Sequence, residues 1–119
     1  MAKVTVIDDS QATLDMLSSV LKQGNHAVSS FATAVGVEDK IKADKPDIIL
    51  LDIVMPERNG YDVLRALKRS PDTKDIPVVL ISSKSEETDI RWGKRQGAAD
   101  YITKPFSPDA VNAAIKNHV

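Results

Sequence analysis

The sequence predicts an α/β fold, a (βα)5 doubly wound parallel sheet of five strands. Three short runs, at 4–7, 48–51 and 78–81, are β-branched and almost continuously apolar. Such runs are typical of strands buried on both faces of a parallel sheet. Segments with helical spacing of apolar residues separate them. Each strand–helix unit takes about 20 to 25 residues, which favours right-handed crossovers and helices on both faces.

The first strand is followed by the first predicted helix. Leu14, Leu17 and Leu21 recur at helical spacing and predict its buried face. Met16 and Val20 are expected to widen that face. The segment therefore predicts an amphipathic helix that packs on the sheet.

The middle of the chain continues the alternation. Gly36 is expected to weaken the second helix by about 1 kcal/mol relative to alanine. Prolines mark the ends of helices here, because the residue before a proline avoids helical backbone. The predicted elements are, in order, a strand at 27–31, a helix on Val37 and Ile41 before Pro46, the strand at 48–51, and a helix on Tyr61, Leu64 and Leu67 before Pro71.

The last third of the chain predicts two further units. The fourth helix is expected over 86–96, with Ile90 facing inward and Gly97 just past its end. The fifth strand is weaker, at 99–102. The fifth helix has the clearest signals: Ser107 as N-cap, Pro108 at its first position, and an apolar face of Val111, Ala114, Ile115 and His118.

Composition narrows the functional classes. Hydrophobic residues make up 42% and charged residues 28% of 119 residues, which excludes a disordered chain. The formal charge of -1 gives no general attraction for nucleic acid or for an anionic membrane. The absence of cysteine excludes disulfides, thiol catalysis and thiolate metal sites. No apolar run approaches the roughly 20 residues of a membrane span, and no secretory signal opens the chain. We therefore expect a single cytoplasmic domain over residues 1–119, without an output domain, membrane insertion or direct contact with nucleic acid.

Polar side chains follow the strong strands. Asp8 and Asp9 come after the first strand, Asp52 after the third, Ser82 after the fourth and Lys104 after the fifth. In a parallel sheet the carboxyl ends of the strands meet at one edge, where such folds bind ligands. We therefore expect three carboxylates, a hydroxyl and an ammonium group to converge there.

This set of side chains indicates magnesium-dependent phosphoryl chemistry. Clustered carboxylates repel one another unless a cation lies among them or one is protonated. Hard oxygen ligands without histidine or cysteine favour Mg²⁺ over zinc. A carboxylate can act as a nucleophile towards phosphorus, while a metal, a lysine and a hydroxyl stabilise the phosphoryl oxygens.

Each residue also has an ordinary structural interpretation when taken alone. Asp8 or Asp9 could be the N-cap of the first helix, and Asp52 could be a turn residue. Ser82 could cap the fourth helix, for which Ser83 to Glu86 has the spacing of a capping box. Their joint placement at matching strand ends favours the functional interpretation.

With these residues identified, the whole chain resembles a response regulator receiver domain, the CheY-like family of two-component signalling. The resemblance rests on four motifs: Val-Ile-Asp8-Asp9-Ser, Leu-Leu-Asp52-Ile-Val-Met-Pro-x-x-Asn-Gly60, Leu-Ile-Ser82-Ser and Tyr101-Ile-Thr-Lys104-Pro-Phe. It implies a flavodoxin-like strand order of 2-1-3-4-5. It also implies a cis peptide bond after Lys104 and a tight turn at Gly60.

The resemblance assigns a role to each site residue. Asp52 would accept the phosphoryl group. Asp9 and Asp52 would bind Mg²⁺ directly, Asp8 mainly through water, and Val54 through its main-chain carbonyl. The same resemblance makes Lys104 the invariant lysine of the family. Ser82 and Tyr101 would be the switch residues.

The resemblance also implies partners. A histidine kinase would donate the phosphoryl group, and a downstream protein would bind a surface formed by helix 4, strand 5 and helix 5. The protein would not be an enzyme beyond its own phosphorylation and dephosphorylation. The side chains of Val54 and Lys84 depart from the common pattern, which leaves the lifetime of the phosphorylated state open.

Helix 4 suggests a subfamily. Its stretch Trp92-Gly-Lys-Arg-Gln-Gly97 is similar to receivers of the chemosensory systems that control type IV pilus twitching. Trp92 lies on the side of helix 4 away from Ile90, and we expect it to be partly exposed. The basic residues Arg91, Lys94 and Arg95 beside it form either a solvated face or a contact surface.

Three alternatives stay open on sequence alone. A flavodoxin-like cofactor carrier shares the architecture, but Asp8 and Asp9 would repel its phosphate. A phosphatase of the haloacid dehalogenase type also forms an aspartyl phosphate, but its carboxylates are spaced Asp-x-Asp. A receiver could also serve as a phosphate sink or scaffold without a conformational output.

Overall fold

Five parallel strands form one sheet in a computed structural model, which describes residues 2–119. The strands are β1 (Lys3–Ile7), β2 (Ala27–Phe31), β3 (Ile48–Asp52), β4 (Val78–Ser82) and β5 (Asp100–Thr103). Their order across the sheet is β2-β1-β3-β4-β5, and each adjacent pair is parallel. The predicted fold class and strand order are therefore confirmed.

A helix follows each strand and covers one face of the sheet. The helices are α1 (Gln11–Gln23), α2 (Val37–Asp44), α3 (Gly60–Arg69), α4 (Glu87–Arg95) and α5 (Pro108–His118). Apolar residues of α1 and α5 form one core cluster with Val6 and Leu50, and those of α2 and α3 form a second with Ile7 and Leu51. Successive strand residues point to opposite faces, so one sheet holds both cores together.

The central strands are the most buried part of the molecule. Every residue of β3 and β4 is buried, whereas β2 and β5 at the sheet edges are only partly covered. This difference explains the sequence signal, because strands covered on both faces need a continuous apolar run. The weaker runs at 27–31 and 99–102 belong to the two edges.

Three expectations about helices were wrong. Met16 is 54% exposed, and only Val20 widens the buried face of α1. Gly36 precedes α2 as its N-cap with φ of 72°, so it does not weaken the helix from within. In α4 the buried residue is Gly93, whereas Ile90 is only partly buried.

The two histidines have partners that the sequence did not reveal. Nδ1 of His26 accepts a hydrogen bond from the main-chain nitrogen of Ala2 at 2.9 Å. Nε2 of His118 lies 3.1 Å from Oδ2 of Asp100, which ties the end of α5 to the start of β5. Neither histidine lies at the acidic edge of the sheet.

Within residues 2–119, every helix is too short or too polar to cross a membrane.

Candidate functional site

The predicted site residues meet at the carboxyl edge of the sheet. Asp8 follows β1, Asp52 ends β3, Ser82 ends β4 and Lys104 follows β5. The main-chain nitrogen of Lys104 donates to the carbonyl of Ser82 at 2.7 Å, which extends the β4–β5 pairing by one residue. Parallel pairing therefore fixes which side chains are neighbours.

Asp8, Asp9 and Asp52 form an acidic cluster. Each offers a carboxylate oxygen, and these oxygens lie within 4.8 Å of one another. Asp8 and Asp52 are buried, whereas Asp9 is exposed. The cluster thus has two carboxylates inside the edge of the sheet and one at its opening, which gives a cation an approach from solvent.

Lys104 supplies the positive charge inside this cluster. Its Nζ lies 3.0 Å from Oδ2 of Asp8 and 3.4 Å from Oδ1 of Asp52. Burial lowers the pKa of Lys104, but the two carboxylates outweigh burial and hold its pKa above the ordinary value. Lys104 therefore stays protonated and partly offsets the repulsion between Asp8 and Asp52.

The carboxyl of Asp52 is held in an environment that disfavours its charge. Burial is the largest cause and the nearby Asp8 the second, and together they raise the pKa of Asp52 from 3.8 to about 6. Lys104 acts in the opposite direction without cancelling them. An added cation would restore the charged form, because it favours ionisation of a carboxylate that it contacts.

The loop after β3 folds back tightly onto Asp52. The nitrogen of Gly60 donates to the carbonyl of Ile53 at 2.7 Å, and Oδ1 of Asn59 caps α3 by accepting from the nitrogen of Tyr61. A Cβ atom on Gly60 would lie 2.2 Å from the carbonyl oxygen of Asp52. Glycine is therefore required at the predicted tight turn, because any side chain would push this loop away from the site.

The capping interpretations of the acidic and hydroxyl residues were wrong. Ser10 is the N-cap of α1 and accepts from the nitrogen of Thr13, while Oδ1 of Asp8 accepts from the nitrogen of Ser10. The capping box of α4 joins Glu86 to Asp89 instead of Ser83 to Glu86. Asp9 and Asp52 thus have no capping role within residues 2–119, and Ser82 remains the last residue of β4.

Ser82 and Tyr101 are linked through the main chain of Lys84. Oγ of the fully buried Ser82 accepts from the nitrogen of Lys84 at 3.1 Å. The hydroxyl of Tyr101 donates to the carbonyl of Lys84 at 2.8 Å. Sequence reasoning noted only the side chain of Lys84 and missed this connection, because no sequence pattern reports a main-chain hydrogen bond in a loop.

The residues present fit a magnesium ion. The ligand atoms available in the acidic cluster are all carboxylate oxygens, the donors that Mg²⁺ prefers. Val54, predicted to contribute its carbonyl, lies in the loop after Asp52 and is 58% exposed. That loop is also fastened to α2, because Nη1 of Arg58 lies 2.5 Å from Oε1 of Glu38. The Arg58–Glu38 pair is a further feature that sequence reasoning missed.

Comparisons with known proteins agree with this geometry. The family model described as "Response regulator receiver domain" matches residues 4–116. Protein PilH of Pseudomonas aeruginosa is 38% identical over 111 residues, which are 93% of this chain and 92% of that protein. The structure of the chemotaxis protein CheY4 of Vibrio cholerae superimposes with a TM-score of 0.92 at 25% identity, covering 100% of this chain and 99% of that one.

Some relatives are longer proteins. The alkaline phosphatase synthesis transcriptional regulatory protein PhoP of Bacillus subtilis is 33% identical over 96% of this chain, which corresponds to 47% of PhoP. The chain thus spans about half the length of that relative and almost the full length of PilH and CheY4.

Proposed function

This chain belongs to the response regulator receiver domain family, and we propose that it is a phosphorylation-controlled switch in a two-component pathway. The observation that carries the proposal is the buried carboxyl of Asp52, which lies within reach of two further carboxylates and of Lys104. Receiver domains accept phosphoryl groups from histidine kinases and act on downstream partners. Asp52 would be the acceptor in this chain.

The transfer would be a displacement at phosphorus. A carboxylate oxygen of Asp52 attacks the phosphoryl group of a phosphohistidine; the new P–O bond forms as the P–N bond breaks. The imidazole nitrogen keeps the electron pair of the broken bond and takes up a proton. Asp52 suits this role better than Asp8, because Oδ1 of Asp8 accepts from Ser10 and its Oδ2 pairs with Lys104 at 3.0 Å.

Lys104 would change partners when Asp52 is phosphorylated. Its Nζ lies between Asp8 and Asp52, at the closer distance to Asp8. A phosphoryl group on Asp52 brings additional oxygens towards this ammonium group, and charge-assisted hydrogen bonds of this kind are strong. Lys104 would thereby stabilise the aspartyl phosphate as well as the cluster before phosphorylation.

Magnesium would be the cofactor. Asp9 and Asp52 would bind it directly, Asp8 through water, and Val54 through its carbonyl. When bound, the ion neutralises developing charge on the phosphoryl oxygens. The support for this assignment is the all-oxygen donor set of the acidic cluster and its partial exposure at Asp9.

The switch would run from Ser82 to Tyr101 through Lys84. If Oγ of Ser82 turns to donate to a phosphoryl oxygen, it releases the main-chain nitrogen of Lys84. The loop can then move, and the hydroxyl of Tyr101 loses the geometry of its hydrogen bond to the carbonyl of Lys84. Rearrangement of Tyr101 would change the surface formed by α4, β5 and α5, which a downstream protein would bind.

The pathway is proposed from similarity. Protein PilH is the relative of similar length at 38% identity, and the stretch from Trp92 to Gly97 resembles receivers of type IV pilus chemosensory systems. We place the protein in chemotaxis-type or pilus motility signalling. We further propose that it has no catalytic activity beyond its own phosphorylation and dephosphorylation.

The acceptor assignment is tested with a small phosphodonor. The full chain is incubated with acetyl phosphate and Mg²⁺, its intact mass is measured, and the adduct is mapped by peptide sequencing. We expect one added phosphate on Asp52 that requires the divalent cation. Asp52→Asn should gain none, while the exposed control Asp75→Asn should behave as wild type. A phosphate mass on Asp52→Asn at the wild-type rate would overturn the assignment.

A further inference from the structure

The outward side of α4 is a surface that the phosphorylation chemistry does not use. Thr88, Arg91, Trp92 and Arg95 recur at i, i+3, i+4 and i+7, so they share one side of the helix. We call these four residues the outer face of α4. They line a shallow cleft of about 220 Å³. Gly93, the buried residue of α4, lies on the opposite side and packs on the sheet.

We propose that the outer face of α4 binds an acidic protein segment that places one large apolar side chain against Trp92. This inference rests on the proposed function, and it names the chemistry of the partner. It adds a site on the solvent side of the helix, away from the contact between α4 and Tyr101.

Trp92 provides the apolar anchor point. Trp92 is 49% exposed, and it is the only tryptophan of the chain. Tryptophan and arginine are the residues most enriched among those that carry binding energy in protein interfaces. The cleft lets a partner side chain cover the exposed ring and remove apolar surface from water.

The charges around Trp92 define the sign of the partner. Arg91, Lys94 and Arg95 are all exposed, although the chain as a whole has a net charge of -1. Arg91 is paired with Glu87 at 2.6 Å, whereas Lys94 and Arg95 form no ion pair among residues 2–119. Two unpaired cations beside an exposed ring complement a carboxylate-rich segment, which they would also guide into register.

A nucleic acid fits this surface less well than an acidic peptide. Binding to a phosphate backbone needs an extended basic stripe, since its affinity comes from many neutralised phosphates. The basic patch here, from Arg91 to Arg95, covers little more than one helical turn and borders the carboxylate of Glu87. A short peptide with a few carboxylates and one apolar side chain matches both the size and the charge of the face.

The test selects the partner chemistry without assuming a sequence. A displayed library of random 12-residue peptides is selected on the full chain, and the enriched peptides are sequenced. The best peptide is then titrated against the protein while the fluorescence of Trp92 is recorded, at low and at high salt. We expect enriched peptides to carry several Asp or Glu residues around one large apolar residue, and their binding to weaken with salt.

Charge variants then connect binding to the face. Arg91→Gln/Arg95→Gln should weaken the selected peptide about tenfold, because the face loses two cations and the carboxylate of Glu87, no longer paired with Arg91, repels the acidic peptide. The matched control Lys22→Gln/Lys74→Gln removes the same charge from α1 and from the loop after α3, and should bind as wild type. Circular dichroism checks that both variants are folded.

Three results would overturn the proposal. The first is a selection that yields no peptides, or peptides without an excess of acidic residues. The second is peptide binding that survives in Arg91→Gln/Arg95→Gln. The third is a single-stranded oligonucleotide that binds this face more tightly than the peptide does. The outcome is separable from the proposed function. If the chain gains phosphate on Asp52 but binds no acidic peptide, only the proposed role of the outer face of α4 is refuted. If it binds an acidic peptide but gains no phosphate, only the proposed phosphorylation is refuted.

Discussion

Asp52, the proposed phosphoryl acceptor, is the residue at which the stability of the protein and the proposed chemistry conflict. A nucleophilic carboxyl must be ionised, yet burial and Asp8 raise its pKa to about 6. The folded state therefore binds a proton at Asp52 more tightly than the unfolded chain does. Protonation of Asp52 therefore stabilises the folded state. This stabilisation is fully present below the ordinary pKa of 3.8 and is lost as the pH rises through about 6.

The first prediction is that Asp52→Asn stabilises the metal-free protein at neutral pH. Asparagine keeps the shape but carries no buried charge, so the free energy of unfolding at pH 7 should rise by about 2 kcal/mol. The advantage of the variant should shrink between pH 6 and pH 4, where wild-type Asp52 takes up its proton. Urea unfolding in a chelating buffer measures both quantities. An advantage that stays constant from pH 4 to pH 7 would contradict the raised pKa.

The second prediction concerns Gly60, a position with no room for a side chain. Alanine is the better helix former by about 1 kcal/mol, but its Cβ would lie 2.2 Å from the carbonyl oxygen of Asp52. We expect Gly60→Ala to lose about 2 kcal/mol of unfolding free energy, because overpacking forces the backbone to move. It should also weaken Mg²⁺ binding, measured by calorimetry. A stabilised variant with unchanged Mg²⁺ affinity would show that the contact is not tight.

At the scale of single elements, α4 stands out because it has so little apolar contact with the sheet. Gly93 is its buried residue, and a Cβ there would lie 2.9 Å from Cδ1 of Leu80 and 3.0 Å from Cδ2 of Tyr101. Glycine lets the helix lie directly against the Tyr101 ring. A helix held by few buried side chains is displaced at a low cost in free energy, which suits an element that moves in the proposed switch.

The third prediction is that Gly93→Ala displaces α4 and Tyr101 together. The gain in helix propensity is about 1 kcal/mol, and the overpacking should exceed it, so we expect a net loss of about 1 kcal/mol in unfolding free energy. Backbone NMR signals of α4 and β5 should shift. The loss should shrink in a Tyr101→Ala background, where the ring no longer fills the space. Additive losses in the double variant would contradict the coupling.

How far the sequence predicts an element depends on where it lies in the fold. The bounds of β3 and β4 were predicted to within one residue, because burial on both faces leaves a continuous apolar run. The bounds of β2 at 27–31 were also predicted to the residue, although this edge strand is only partly covered. The packing of α4 was not predictable. Periodicity selects large apolar residues and pointed to Ile90, whereas a glycine makes the contact and carries no hydrophobic signal.

For the whole molecule, the parallel topology made the site predictable and left its interactions open. Strand ends of a parallel sheet share an edge, so Asp8, Asp52 and Lys104 had to converge. Two details depend on loop geometry that local sequence does not encode. Nζ of Lys104 lies closer to Asp8, at 3.0 Å, than to Asp52, and Asp9 is exposed. The two hydrogen bonds that link Ser82 and Tyr101 through the main chain of Lys84 also depend on loop geometry.

The fourth prediction is that Mg²⁺ stabilises the whole domain. The ion would bind only the folded acidic cluster, so a concentration ten times the dissociation constant should add about 1.4 kcal/mol. Thermal unfolding at increasing Mg²⁺ measures this gain. Asp9→Ala should lose most of it, and the remote Asp75→Asn should keep it. An equal shift in the Asp9→Ala variant would exclude Asp9 as a ligand.

The most direct test of the account follows a phosphoryl mimic across the molecule. Beryllofluoride and Mg²⁺ are added to the labelled full chain, and backbone NMR signals are compared in wild type and Ser82→Ala. We predict shifts at the acidic cluster that extend through residues 82–106, a change in Trp92 fluorescence, and a much smaller distal response in Ser82→Ala. Shifts confined to the loops of Asp8, Asp9 and Asp52 would contradict the switch and identify the protein as a phosphate sink or scaffold.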